Sequence, residues 1–388
     1  LRVLHIINDL GVGGAEMMLL RLLSATDRSR AEPAVISLLG GEVMVELVPG
    51  IEAMGIEVVT LGMGGVPSPP AVARLVRQIR RLRPDVVQTW MYHADLLGGL
   101  AARLATRAPL VWGLHNSDLD KDRARRSTRA IARGCAVLSH RLPRRIVSCS
   151  EAAARIHREL GYDADKFVVI PNGIDTGEFR PDAASYSGLR RELGVPAGTR
   201  LVGIVARWHP QKDHRNFVRA AGIVGRRHRG VDFVLAGAGC DAANAELSGW
   251  VAGTGIPERF HLLGKRRDTP RVTAALDVAA TASAYGEAFP LVIGEAMSAG
   301  VPCAVTDVGD SALMVGDTGR VAPPRDAGAL AGAVSAILDL TREDRLALGA
   351  AARERIRERF SLPAVAERYQ ALYEGLAGGR RAGRPVRR

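Results

Sequence analysis

Aromatic residues make up only 4% of this 388-residue chain, and a platform that stacks nucleic-acid bases would need them among its basic stretches. Cysteine is scarce as well. Cys135, Cys149, Cys240 and Cys303 are scattered, with no C-x-x-C pair and no metal-ligand spacing, so a reduced, cytoplasmic setting follows more easily than a disulfide framework. No run of about 18 uncharged apolar residues occurs, so a membrane span is not expected and any membrane contact would be peripheral. The first residues read as a strand rather than as a signal peptide.

What the chain does have is apolar content and positive charge. Hydrophobic residues form 47% of it, enough for two cored domains. Its 53 basic and 41 acidic residues leave a net charge of +12, which fits an acidic partner such as phosphorylated ligands, an anionic membrane surface or nucleic acid. Short apolar runs alternate with helical patterns: Arg2–Asn8, Ala34–Leu39, Glu57–Leu61, Val86–Thr89, Leu110–Leu114, Ile146–Ser148 and Phe167–Ile170. The rhythm restarts with Leu201–Ala206, Phe233–Ala236, Phe260–Leu263 and Asp277–Thr281. It predicts parallel α/β sheets wound by helices, with ligands beyond the carboxyl ends of the strands.

Polar residues just after these strands are therefore the site candidates. Gly11-Val12-Gly13-Gly14 follows the first strand but lacks the third glycine of G-x-G-x-x-G, which disfavours a nicotinamide-type site. His115 follows Leu110–Leu114, and His93 and Asp95 are weaker candidates after the preceding strand. Arg207 and Lys212 flank a strand–helix junction in the second half, where a guanidinium fork and an ammonium suit a diphosphate. Tyr285–Gly300, YGEAFPLVIGEAMSAG, carries Glu287 in a Gly-containing turn and Glu295 within an apolar helix. Even a fully helical path would separate these acids by roughly 12 Å, too far for an acid/base dyad. The spacing suits two contacts along an extended ligand whose phosphates rest on the helix N-terminus. It also fits a buried helix with one glutamate paired in the core.

With its flanks, E-A-F-P-L-V-I-G-E resembles the E-x7-E motif of the retaining family 4 glycosyltransferases, and further motifs match in order along nearly the whole chain. The resemblance implies the GT-B fold: two Rossmann-like, doubly wound domains facing a cleft, with a C-terminal helix crossing back onto the first. It implies Glu287 beside the donor sugar, Glu295 on the ribose, and backbone amides around Phe289 and Leu291 near sugar and phosphates. Arg207 and Lys212, matching R-x4-K, would neutralise the leaving diphosphate. His115 would contact the donor sugar, Gly13 and Gly14 would approach its phosphates, and Gly264 and Lys265 would lie at the base. Thr306-Asp307-Val308-Gly309-Asp310 stands where relatives often carry a glycine pair, which weakens a phosphate role there. V-I-P-N-G-I-D, ending at Asp175, resembles the segment before the interdomain linker and reads as a hinge.

The expected layout is an acceptor-side domain over 1–180 with a helix over 363–378, a nucleotide-sugar domain over 181–362, and a disordered basic tail over 379–388. Two D-x-D triplets, at Asp118 and Asp163, read as solvated charge or helix capping, and no metal or cofactor is expected. The Arg-rich stretches 74–83 and 121–145 could meet an anionic membrane or form solvated helix faces. The implied activity is transfer of a hexose from a nucleotide diphosphate sugar, UDP favoured, to a glycan or lipid-linked acceptor in cell-surface polysaccharide synthesis. Alternatives are a 2-epimerase-type enzyme of the same fold and a nucleic-acid-binding protein, though no nucleic acid is expected.

Overall fold

The structure is a computed structural model. It describes all residues except 12, 41–44, 65–67, 117–124 and 383–388, together with all side chains outside these and 379–382. The chain divides into two compact units, Leu1–Gly173 with Leu362–Arg388, and Ile174–Ser361.

Among the described residues the first unit holds seven strands: β1 (Arg2–Ile7), β2 (Glu32–Ser37), β3 (Glu57–Thr60), β4 (Val86–Trp90), β5 (Leu110–Leu114), β6 (Arg145–Ser148) and β7 (Phe167–Val169). They form one parallel sheet in the order β3-β2-β1-β4-β5-β6-β7. Parallel neighbours need crossovers, which cover both faces with helices and explain why the strands are apolar on both sides. In β1, Leu4 and Ile6 enter one core with Ile36, Ile79 and Trp112. Val3 and Ile7 enter the opposite core with Leu19, Val35, Trp90 and Tyr369.

The second unit holds β8 (Arg200–Val205), β9 (Val231–Ala236), β10 (Phe260–Gly264), β11 (Val278–Thr281), β12 (Cys303–Thr306) and β13 (Gly319–Ala322). Their parallel order is β10-β9-β8-β11-β12-β13. Phe233 and Leu235 of β9 face one core, and Val234 and Ala236 the other. β13 was not anticipated, because Gly-Arg-Val-Ala offers no apolar run to read. In both sheets the winding reverses beside the first strand, between β1 and β4 and between β8 and β11. Loops leaving the carboxyl ends at such a reversal diverge and open a ligand crevice.

Two expectations on boundaries need correction. The division falls at 173/174 and not at 180/181, because Ile174–Phe179 is held within the second unit. The Ile174 N–H donates to the Phe360 carbonyl at 2.8 Å, and Ser298 Oγ donates to the Phe179 carbonyl at 2.6 Å. The last helix runs over Leu362–Ala382, so 379–382 continue it, while 383–388 lie outside the described residues. It returns to the first unit, where Tyr369 and Tyr373 are buried. Of the basic stretch 121–145, positions 121–124 lie outside the described residues, and the helix Arg126–Ser139 carries most of the rest.

Candidate active site

In the second unit, β8 feeds Ala206–Lys212. The Ala206 and Trp208 amides donate to Ala236 and Ala238 at 2.8 Å each, so the loop runs alongside the turn after β9. A side chain at Gly237 would place its Cβ 2.0 Å from the Ala206 carbonyl oxygen, and only glycine permits this passage. His209 accepts the Gln211 N–H and starts the turn Pro210–Lys212. Asp213, at φ +45°, then caps the helix His214–Arg227 through the Asn216 N–H, which sets Lys212 at a fixed strand–helix corner.

Lys212 Nζ lies 2.5 Å from Glu287 Oε1, and Ser283 Oγ donates to the same oxygen at 2.7 Å. The side chains of Lys212 and Glu287 are only 19% and 10% exposed, so the pair is held largely away from water. The backbone braces it from both sides. The Ala284 N–H donates to the Gln211 carbonyl at 2.8 Å, Thr306 Oγ1 donates to the Ser283 carbonyl at 2.8 Å, and the Asp310 N–H donates to the Ala288 carbonyl at 3.0 Å. Gly309, at φ +64°, passes so close that a Cβ would stand 2.3 Å from the Glu287 carbonyl oxygen. Ser283, Thr306 and Gly309 were not singled out as supports of Glu287, since nothing in their spacing shows that β11 and β12 are neighbours.

The helix Leu291–Ser298 begins four residues after Glu287, and no side chain caps its first turn. Phe289 is buried against Phe360 at 5.5 Å between centroids, so any contact it offers a ligand is through its backbone. Leu291 packs on the same core. Glu295 is half-buried on the helix, between buried Gly294 and Ala296. Gly264, at φ +62°, ends β10; its N–H donates to Cys240 and its carbonyl accepts from Gly237. Arg266 is spent on Glu192 and Asp268, whereas Lys265 and Arg207 are exposed. Among the described residues neither has a side-chain partner. Two uncompensated cations beside a third held by Glu287 leave this end of the sheet suited to an anion. His214, two positions from Lys212, is no part of that surface: it is buried beside Trp208 at 5.1 Å, and burial lowers its pKa to about 4.

In the first unit, His115 follows β5 and stacks on Trp90 at 4.9 Å and 19°. Both ring nitrogens are shielded from solvent, and among the described residues neither has a hydrogen-bond partner. Burial lowers its pKa to about 4, and the Asn172 side chain, not aligned for a hydrogen bond, opposes this only in part. A neutral imidazole with two unsatisfied buried nitrogens costs stability, and a ligand hydroxyl would satisfy it. Trp90 is fully buried, donates its Nε1–H to His5 Nδ1 at 3.2 Å, and stacks on Tyr369 at 6.2 Å. Gly113 lets β5 pass β4, since a Cβ there would stand 2.8 Å from the Thr89 carbonyl oxygen. The loop after β4 turns through Met91 at φ +70° into a π-helical turn, Ala94–Gly98.

Asp95 is not available to an acceptor. It is fully buried with Thr89 Oγ1 2.5 Å from its Oδ1, and burial pushes its carboxyl well above the usual range. His93 is exposed. Gly13 caps the helix Gly14–Ala25 without a side-chain bond. The Glu16 carboxylate folds over it, so close that a Cβ on Gly13 would collide with Oε2. Around Gly14 the space is open. Of the D-x-D triplets, Asp118-Leu119-Asp120 lies outside the described residues, and Asp163 caps the turn Ala164–Lys166. In the Arg74–Arg83 run, Arg74 and Arg80 donate to the Leu61 and Leu104 carbonyls and Arg81 pairs with Glu57, so most of that face is tied down.

The profile of Glycosyltransferase Family 4 matches residues 12–178, and that of Glycosyl transferases group 1 matches residues 199–340. The chain belongs to glycosyltransferase family 4. It is 28% identical over 244 residues to the UDP-Gal:alpha-D-GlcNAc-diphosphoundecaprenol alpha-1,3-galactosyltransferase of Escherichia coli, covering 62% of each chain. It is 30% identical over 302 residues to the D-inositol 3-phosphate glycosyltransferase of Nocardia farcinica, covering 73% of this chain and 66% of that protein. The chain thus spans a little under two thirds of these two relatives. Among solved structures, Anabaena HepE in complex with UDP superposes with a TM-score of 0.83 at 25% identity, over 97% of this chain and 100% of HepE. Sucrose-phosphate synthase from Thermosynechococcus elongatus shares the fold, with a TM-score of 0.76 at 20% identity over 97% and 100% of the two chains. As a family 4 member the chain has the GT-B architecture, and the two glutamates of its E-x7-E motif stand in unlike settings. Glu287 is in an ion pair in a turn, and Glu295 is on a helix.

Proposed function

We propose that this protein is a retaining, metal-independent hexosyltransferase that moves a sugar from a UDP-sugar to a glycan or lipid-linked acceptor in cell-surface polysaccharide synthesis. The observation that carries the reading is the Lys212–Glu287 pair with Arg207 and Lys265 uncompensated at the same end of the second unit's sheet. Arg207 and Lys212 meet the charge that grows on the leaving diphosphate, an electrostatic stabilisation that asks for no metal. Glu287, released from Lys212 as the diphosphate takes the ammonium, receives donor-sugar hydroxyls, and Glu295 takes the ribose. Neutral His115 hydrogen-bonds a sugar hydroxyl. With no dedicated nucleophile, the leaving phosphate accepts the acceptor's proton on the face it departs from.

HepE binds UDP, and the Escherichia coli relative is named for a UDP-galactose donor and a diphosphoundecaprenol-linked acceptor. Both favour a uridine donor and a lipid-linked acceptor here. Such an acceptor is met at a membrane surface. Arg126, Arg133, Arg141 and Arg144 are exposed and without side-chain partners among the described residues, which suits peripheral contact with the cytoplasmic face of the inner membrane.

A thermal-shift panel of UDP, GDP, ADP and their sugars tests the reading on wild type and Lys212→Ala, because stabilisation follows the logarithm of ligand over Kd. A shift with UDP that the variant loses is expected. Absence of any nucleotide shift, with a shift by an oligonucleotide instead, overturns it.

A further inference from the structure

The carboxyl of Asp95 lies in the core of the first unit, on the π-helical turn that follows β4, and the transfer chemistry above makes no use of it. Among the described residues no cation pairs with it. The ionisable groups that face it are Tyr92 of the same loop, Cys135 of the helix Arg126–Ser139 and Tyr162 before β7, and burial pushes each of them further from ionising. An ionised carboxylate in that setting would be a buried charge with no compensation.

Thr89 decides the state of the acid. Its Oγ1 stands 2.5 Å from Asp95 Oδ1 and 3.3 Å from the Val111 carbonyl oxygen on β5. A hydroxyl has one proton to give and lone pairs with which to accept. Against an ionised Asp95, two acceptors would compete for that proton. A neutral Asp95 resolves the conflict: its O–H donates to Thr89 Oγ1, and Thr89 donates to Val111. The relay ties the π-helical turn to β4 and, across β4, to β5.

Both strands of the relay border His115. Thr89 precedes Trp90, whose ring stacks on the imidazole. Val111 lies four residues before His115, and at Gly113 between them a Cβ would come 3.8 Å from His115 Nε2. The turn is laid on the strand, since a Cβ at Gly98 would stand 3.4 Å from Thr89 Cγ2. It is entered through Met91 at φ +70°. Left-handed backbone at a residue with a side chain, and a π-helical turn with it, persist where the surroundings hold them. Tyr92 in the same segment donates to His157 Nε2 at 2.7 Å, and the side chain of Asn116, next to His115, lies by its hydroxyl.

We propose that Asp95, as a neutral acid, is a positioning residue for His115: it fastens the segment 91–98 to β4 and β5, so that Trp90 and Asn116 keep the imidazole in place. The inference rests on the glycosyl-transfer reading, which sets His115 on a sugar hydroxyl, and adds to it a residue that never meets the ligand.

The test uses the purified full chain and three variants. Asp95→Asn keeps a neutral donor at Thr89, Asp95→Ala removes it, and Thr89→Val breaks the relay with little change of shape. Turnover is read as UDP released from UDP-glucose or UDP-galactose. The His115 imidazole is followed by NMR, its signal assigned by its loss in His115→Gln. Asp95→Ala and Thr89→Val should lower kcat at least 10-fold, with donor KM within threefold of wild type and the UDP thermal shift intact. In both, the His115 pKa should climb from about 4 toward 6.5 as the ring is uncovered. Asp95→Asn should keep kcat and the titration near wild type. Ile79→Ala, a cavity in the same core, should lower Tm without moving either. If Asp95→Ala fails to fold, Thr89→Val and Asp95→Asn decide. Asp95→Asn as impaired as Thr89→Val would overturn the proposal, since the acid would then be ionised. So would Thr89→Val with kcat within threefold of wild type or with an unmoved His115 titration. A wild type that releases no UDP strikes the glycosyl-transfer reading, and the NMR titration then decides the positioning alone.

Discussion

Lys212 and Glu287, 75 residues apart in the chain, meet at 2.5 Å in the second unit, and Ser283 completes the set on the same carboxylate oxygen. The two charges neutralise each other, so a diphosphate that takes the ammonium has to displace Glu287. Lys212→Ala should abolish UDP stabilisation and reduce transfer at least 100-fold. Glu287→Gln should retain UDP binding or tighten it while transfer falls at least as far, because Lys212 is then free. Each change leaves a partly buried partner unmet, at about 1–3 kcal/mol, readable by urea unfolding. Glu287→Gln that weakens UDP as much as Lys212→Ala would contradict this division of roles.

Gly309→Ala tests how Glu287 is held. The residue sits at φ +64°, and its Cβ would clash with the Glu287 carbonyl oxygen at 2.3 Å, so the loop carrying Glu287 must move. Misplacement by about 1 Å can cost on the order of 100-fold in rate. We expect a loss of that size in transfer, with UDP affinity changed less. A rate within threefold of wild type would show that the loop tolerates the shift.

Trp90→Phe retains an aromatic beneath His115 and deletes the Nε1–H given to His5. Turnover should fall while the UDP thermal shift, which the proposed function assigns to the second unit, stays. An unchanged kcat would mean that the stack is packing alone.

Stability should fall on the acid side of pH 6.5. Burial lowers the pKa of His5 to about 3 and of His115 and His157 to about 4, each from an ordinary 6.5. Between those values and 6.5 the unfolded chain binds protons that the folded one refuses. Their stabilisation is therefore full above pH 6.5 and is lost progressively as pH drops toward 4. Each contributes about 1.4 kcal/mol per pH unit within that window. Urea titrations from pH 7.5 to 5 should show it, and His115→Gln should reduce the slope by one proton. An unaltered slope would place the His115 titration elsewhere.

All four cysteines are buried and outside any disulfide, and burial pushes the Cys240 and Cys303 thiols up to about 11 and 12. Ellman's reagent should label none of them quickly in the native protein and all four in urea, and reductant should leave Tm unchanged. Rapid native labelling would show that a buried segment opens.

The parallel α/β plan was legible because each strand is a short apolar run closed by polar or glycine residues. Leu110–Leu114 was bounded correctly for that reason, as were the starts of several others. Glu287, Arg207, Lys212 and His115 could be picked out because they stand where strands end. What could not be read were relations that need strand order. Gly309 and Thr306 support Glu287 only because β12 lies beside β11. Trp90 supports His115 only because β4 lies beside β5. The acid at Asp95 looked available from its position after a strand, yet the π-helical turn rotates it inward.

The helix Leu362–Ala382 completes the first unit, and its Tyr369 lies against Trp90, which in turn lies against His115. During synthesis, then, the second unit has all of its strands before the first has its last helix. The ring beneath the candidate catalytic histidine waits for residues made more than 250 positions later in the chain. A chain cut after residue 361 would hold every residue of the second unit and a first unit still open at the site.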